Sequence, residues 1–265
     1  MTKIVFFDID GTMIDVFSGL DFPLPSTVKA VKTLQEHGHY AVVATARSMM
    51  PEGLQEIPFN GHIFNNGTYI EFEDELLYAG FFEERHVAWL VDLFTQYAGE
   101  FIFTSPLGAW VSTGSKFFLV ARHQELFGLS PADPDALLPW TPADVRATMV
   151  TALFENEKQM MDCKAELPQD WVVNAYSHRN YRMDIHLPGF TKGEAVQFLA
   201  ERLGIAFEDT YAFGDGINDL EMLTHVKHGI AMGNASEELL RVASDVTDDV
   251  LNDGIYNALK KYGVI

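Results

Sequence analysis

The chain has 265 residues, 48% of them hydrophobic and 21% charged, a profile that excludes a disordered chain and leaves room for one large domain or two modest ones. A formal net charge of −20 repels polyphosphate backbones and argues against nucleic-acid binding. The same field repels a phosphorylated metabolite, so any phosphate site here needs local cations or a metal. The single cysteine, Cys163, permits no intramolecular disulfide, which favours a reducing compartment. It reads as a structural thiol in a helix-like run. Only four apolar residues separate Met1-Thr2-Lys3 from Asp8, too few for a signal peptide. No apolar run approaches the ~18 residues that span a bilayer. The expected location is the cytoplasm, with no membrane partner.

The elements begin with Ile4–Phe7, wholly apolar, as in a strand buried inside a parallel sheet. Pro25–Gly38 reads as a helix with Val28, Val31 and Leu34 on one face and Gly38 at its end. Tyr40–Ala44 and His62–Phe64 are further strands. Asn65-Asn66-Gly67 is a turn, and Thr68–Phe72 a hairpin arm. After about Gly80 the character changes. Glu83–Tyr97 carries Val87, Leu90, Val91 and Phe94 at i, i+3, i+4, i+7, an amphipathic helix. Strands are expected at Phe101–Thr104, Ala109–Ser112, Lys116–Ala121, Thr148–Phe154, Trp171–Ser177 and Arg182–Leu187, with a helix at Glu157–Leu167. From Gly193 helix and strand alternate again: helix Gly193–Leu203, strand Tyr211–Phe213, helix Asp219–His225, strand Gly229–Met232, helix Ser236–Ala243 and helix Asp253–Tyr262. This pattern predicts an α/β parallel-sheet core over residues 1–80 and 186–265, interrupted by an α+β insert over 81–185.

Two polar motifs follow apolar strands. Phe6-Phe7-Asp8-Ile9-Asp10-Gly11-Thr12 puts two carboxylates at a strand's C-terminal end, where α/β sheets place ligands, and Gly11 allows a sharp turn. A calcium loop needs Asp or Asn fifth and Gly sixth; Thr12 and Met13 stand there. Phe213-Gly214-Asp215-Gly216-Ile217-Asn218-Asp219 offers two carboxylates and an amide on a glycine turn, an oxygen-rich site suited to Mg²⁺. A dinucleotide fingerprint would need glycine where Asp219 stands. Two weaker pieces are Ala44-Thr45-Ala46-Arg47, with a hydroxyl and a cation after the second strand, and Gly189-Phe190-Thr191-Lys192-Gly193 before a helix.

In their order and strand-end placement these four pieces resemble the haloacid-dehalogenase-like (HAD) superfamily. The branch they resemble most is that of Cof-type sugar phosphatases, which carry a type IIB cap. Asn66-Gly67, the run Ile230–Ala235, Ala243–Thr247 and Asn252–Ile255 match that branch as well. Ala46 stands where the second motif usually has glycine, and the cap matches poorly in sequence.

The resemblance implies a Rossmann-like core with an inserted cap, and a Mg²⁺-dependent phosphatase acting on a small phosphorylated metabolite. It assigns nucleophilic attack to Asp8 and proton transfer to Asp10. Metal binding falls to the Asp8 and Asp215 carboxylates and the Asp10 carbonyl, with Asp219 orienting Lys192 or a metal-bound water. Thr45 and Lys192 would hold the phosphoryl group, Asn218 would position phosphate or Lys192, and Arg47 would add a cation. Arg179 and Arg182 are expected to touch substrate from the insert. The expected assembly is a monomer or weak homo-oligomer. A phosphotransferase or mutase would share every motif. A non-catalytic phosphate-binding protein is disfavoured, because Asp8, Asp10 and Lys192 are all present.

Overall fold

A computed structural model of the chain describes residues 1–112, 139–177 and 181–265. It divides into two compact units: Met1–Tyr78 with Phe190–Ile265, and Ala79–Gly189.

The first unit is built on an eight-stranded sheet. Its strands are β1 (Ile4–Phe7), β2 (Tyr40–Ala44), β3 (Gly61–Phe64), β4 (Tyr69–Phe72), β5 (Glu75–Ala79), β11 (Thr210–Gly214), β12 (His228–Ala231) and β13 (Asp245–Val246). The order is β13-β12-β11-β1-β2-β3-β4-β5. Pairing is parallel from β13 to β3, and β4 returns antiparallel to β3. From β1 the chain winds outward through β2 and β3; from β11 it winds the other way through β12 and β13. The reversal lies between β1 and β11, where such folds open a ligand crevice at the strands' carboxyl ends.

The apolar runs of the central strands follow from burial on both faces. Val5 and Phe7 enter one core with Val43, Phe213 and Leu259, while Ile4 and Phe6 enter the other with Val42, Ala212 and Leu199. Phe7 pairs with Phe213 in register, and their rings stack at 5.5 Å. Helix α1 (Pro25–Glu36) packs with α7 (Gly254–Lys261) on the first face; α4 (Lys192–Arg202) and α5 (Leu220–Thr224) cover the second, and a shorter helix, α6, spans Glu237–Val242. The expected helix Asp219–His225 is divided: Ile217–Asp219 is a 3₁₀ turn, and α5 follows. Strands β5 and β13 have no counterpart in the sequence reading. Before β5, Glu73 and Asp74 both adopt positive φ (48° and 64°), a two-residue hairpin geometry normally signalled by Asn-Gly or Asp-Gly.

The second unit is a five-stranded antiparallel sheet, ordered β7 (Gly108–Val111), β6 (Glu100–Ser105), β8 (Met149–Phe154), β10 (Tyr181–His186), β9 (Val172–Tyr176). Helices α2 (Glu84–Gln96) and α3 (Glu157–Glu166) bury Val87, Leu90, Phe94, Met160 and Cys163 against Phe101, Phe103, Val150 and Met183. Cys163 is fully buried, and burial pushes its thiol up to about 12, as befits a structural cysteine. The strand expected at Lys116–Ala121 lies outside the described residues. No described helix is long and apolar enough to cross a membrane.

Candidate active site

Asp8 follows β1 directly, and its N–H donates to the Phe213 carbonyl at 3.0 Å, extending the β1–β11 ladder by one step. The two acidic motifs therefore begin side by side. The chain then turns over Gly11 (φ 78°), whose N–H donates to the Ile14 carbonyl at 2.7 Å. A Cβ on Gly11 would overlap the Asp215 carboxylate, so glycine is what lets the two loops close on each other. The Asp215 loop is held from below, its carbonyl accepting from Ser236 N–H at 2.8 Å.

Lys192 is the first residue of α4. Thr191 caps that helix, accepting from Glu194 N–H at 3.2 Å, while the Glu194 carboxylate accepts from Thr191 N–H at 2.9 Å. This capping box fixes the backbone from which Lys192 reaches inward. A cation at a helix N-terminus meets the positive end of the helix dipole, and Lys192 is almost wholly buried. It is held there by two carboxylates: Nζ donates to Asp8 Oδ1 at 2.6 Å and also to Asp219 Oδ1. Burial alone would lower the ammonium, but Asp219 and then Asp8 outweigh it and the group is raised. The second oxygen of Asp219 accepts from the N–H groups of Asp215 (3.0 Å) and Gly216 (2.9 Å). Asp219 thus ties the Asp215 loop to Lys192.

Carboxylate oxygens of Asp8, Asp215 and Asp219 lie within 4.8 Å of one another. Burial pushes Asp8 well above the usual carboxylate range, with Asp219 adding to the rise and Lys192 opposing it. Burial and the Asp219 charge push Asp215 up to about 7. Among the described residues its carboxylate has one hydrogen bond, from the Thr12 hydroxyl at 3.4 Å. Three carboxylates against one ammonium leave an excess of acidic groups, two of them buried and Asp215 partly so. Hard oxygen donors with that excess fit a small divalent cation.

The sequence profile of the haloacid dehalogenase-like hydrolases matches residues 5–259. The chain belongs to this family. It is 30% identical over 267 residues to the Bacillus subtilis (strain 168) protein named "Putative phosphatase YkrA", covering 100% of this chain and 99% of that one. A crystal structure of a hypothetical protein from Geobacillus kaustophilus HTA426 superposes with a TM-score of 0.86 at 30% identity, with full coverage of both chains. The subclass IIB sugar phosphatase BT4131 shares the fold at a TM-score of 0.79 and 24% identity, again over both whole chains.

Within this HAD hydrolase, Thr45 is buried at the end of β2 and its hydroxyl oxygen accepts from Arg47 N–H at 3.1 Å. The Arg47 side chain pairs with Asp10. Asn218 is exposed on the turn beyond Asp215. Arg182 belongs to the second unit, where its guanidinium lies over the Tyr176 ring at 4.3 Å and pairs with Asp184 at 3.1 Å. Arg179 lies outside the described residues. Asn234 takes a part that the sequence reading did not give it. Its amide donates to the Gly11 carbonyl at 2.8 Å and its oxygen accepts from Val250 N–H at 3.0 Å, bracing the first motif from across the sheet. The only advance signal was its place in the Ile230–Ala235 run.

Proposed function

We propose that this HAD hydrolase is a Mg²⁺-dependent phosphatase that cleaves small phosphate monoesters through a phosphoryl intermediate on Asp8. The observation that carries the reading is Asp8 itself: a buried carboxylate at a strand end, with one oxygen on Lys192 and the other without a hydrogen bond among the described residues. Uncatalysed phosphate-monoester hydrolysis is among the slowest biological reactions, needing acceleration of up to ~10²¹. Attack by Asp8 divides that barrier into formation and hydrolysis of an acyl phosphate. Lys192 and the Thr45 hydroxyl would hold phosphoryl oxygens as charge redistributes, and Asn218, exposed on the turn beyond Asp215, would position phosphate or Lys192. Asp10, with its exposed carboxylate, would protonate the leaving oxygen and then take a proton from the attacking water. Asp8, Asp215 and the Asp10 carbonyl would hold the metal, with Asp219 behind them. When bound, Mg²⁺ supplies positive charge that offsets the repulsion between a carboxylate and a phosphate dianion.

The substrate class, a sugar phosphate or phosphorylated cofactor, is supported by membership of the family and by the fold shared with a sugar phosphatase. The cytoplasm and a monomer or weak homo-oligomer complete the reading. The test is Asp10→Asn with p-nitrophenyl phosphate. A good leaving group needs little protonation, so this variant should release about one equivalent of nitrophenol and stall, the burst of an accumulating covalent intermediate. Steady turnover of an alkyl phosphate by the same variant would overturn the assignment of Asp10. A rate undiminished in Asp8→Asn would overturn the intermediate.

A further inference from the structure

Asp10 and Arg47 are 37 residues apart in sequence and meet through a two-point fork: Nε donates to Oδ2 at 2.8 Å and Nη2 to Oδ1 at 2.6 Å. We infer that Arg47 is a positioning residue that holds the Asp10 carboxylate in its working orientation, rather than a ligand of the substrate phosphate. The inference rests on the proposed role of Asp10 in proton transfer.

The backbone of Arg47 is anchored on both sides. Its N–H donates to the Thr45 hydroxyl at 3.1 Å, and its carbonyl accepts from Asn65 N–H at 2.9 Å. Asn65 opens the turn Asn65-Asn66-Gly67, whose first two residues have φ of 49° and 54°. Gly67, at φ 106°, packs so closely on the carbonyls of Phe190 and Thr191 that a Cβ would collide with both. The strand that carries Thr45, the turn and the start of α4 therefore form one braced assembly, and Arg47 projects from it.

Burial separates the two partners. The Arg47 side chain is 18% exposed and the Asp10 side chain 55%. The guanidinium is the fixed member and the carboxylate the one that would otherwise swing. Asp10 has no other side-chain hydrogen bond among the described residues. A bidentate guanidinium–carboxylate fork sets the plane of the carboxylate as well as its position, which a single ammonium contact does not. Proton transfer depends on that placement, since a candidate acid or base must lie within hydrogen-bond reach of the proton it moves. The fork engages both Asp10 oxygens through Nε and Nη2, the edge of the guanidinium that would otherwise offer a phosphate its bidentate grip.

A double-mutant cycle on the full chain with Mg²⁺ present tests this, using Arg47→Ala, Arg47→Lys and Asp10→Asn with p-nitrophenyl phosphate and an alkyl phosphate. Arg47→Ala should lower kcat by about 10–10²-fold, part of the 10²–10⁴ that acid–base catalysis supplies. KM and the inhibition constant of inorganic phosphate should stay within about threefold. Arg47→Lys keeps the charge without the fork and should recover only part of kcat. In the Asp10→Asn background, Arg47→Ala should change the rate of the nitrophenol burst by less than about twofold, because residues acting as one unit are not additive. A rise of tenfold or more in KM and in the phosphate constant, with the phosphate constant weakened as much in Asp10→Asn, would make Arg47 a phosphate ligand and overturn the inference. Equal loss of activity in both backgrounds, accompanied by a lower Tm, would reduce it to a structural role and overturn it as well. A fully active Asp10→Asn would instead remove the role of Asp10 on which the inference stands.

Discussion

Gly11 and Asp215 touch across the β1–β11 boundary: Gly11 sits at φ 78°, and a Cβ there would overlap both oxygens of the Asp215 carboxylate. An alanine at Gly11 faces two independent penalties. The left-handed backbone costs about 1–2 kcal/mol for any residue with a Cβ, and the carboxylate must move. Gly38 separates the two, since it has φ 76° with nothing near its missing Cβ. In urea denaturation Gly38→Ala should lose the backbone cost alone, and Gly11→Ala at least as much. Only Gly11→Ala should lose catalysis, on the order of 10²-fold for a displacement near 1 Å, together with metal affinity by calorimetric titration.

Asp215 makes the metal dependence sensitive to pH. Its carboxyl is raised from 3.8 to about 7 by burial and by Asp219. Between those values the folded chain holds a proton that the unfolded chain has lost. In the metal-free protein this group therefore contributes stability that is complete below about pH 4 and lost as pH rises through about 7. Asp8, raised by burial and Asp219, acts in the same direction. Metal binding competes with those protons, so its stabilisation runs the other way. Thermal melts across pH 5–8 should show the metal-free Tm falling with pH and the shift produced by saturating Mg²⁺ growing. A shift independent of pH would separate the metal from these carboxylates.

Lys192→Met keeps the length of the side chain and removes the ammonium that Asp8 and Asp219 share. Turnover should vanish. Breaking a buried ion pair from one side costs about 3–5 kcal/mol while the partners remain charged. Asp8 is already raised, and without Lys192 it rises further, so its carboxyl is neutral at low pH and charged at high pH. The loss of stability relative to the parent should be greater at pH 8 than at pH 5. Urea titrations at the two pH values, with a chelator present, measure the difference.

Much of the core was legible along the chain because its signals are local. An unbroken apolar tetrapeptide before Asp8 reads as a strand covered on both faces, and Ile4–Phe7 is one. The spacing of Val31 and Leu34 faces α1 toward the sheet, and each acidic motif stands where a strand must turn. The hairpin into β5 is not signalled because Glu73 takes a left-handed conformation that its residue type does not announce, and no glycine accompanies Asp74 in the turn. The partners within the site were decided elsewhere. Lys192 lies 184 residues from Asp8, Asn234 lies 223 from Gly11, and Arg47 lies 37 from Asp10. From the sequence, Arg47 is only a cation near a phosphate site, and nothing in its neighbours says that a carboxylate reaches it first. The strand order settles that by placing β1 between β2 and β11. The loop after β1 then meets the loop after β2 on one side and the loop after β11 on the other. Periodicity fixes what each segment becomes, and parallel register alone fixes which side chains its ends can touch.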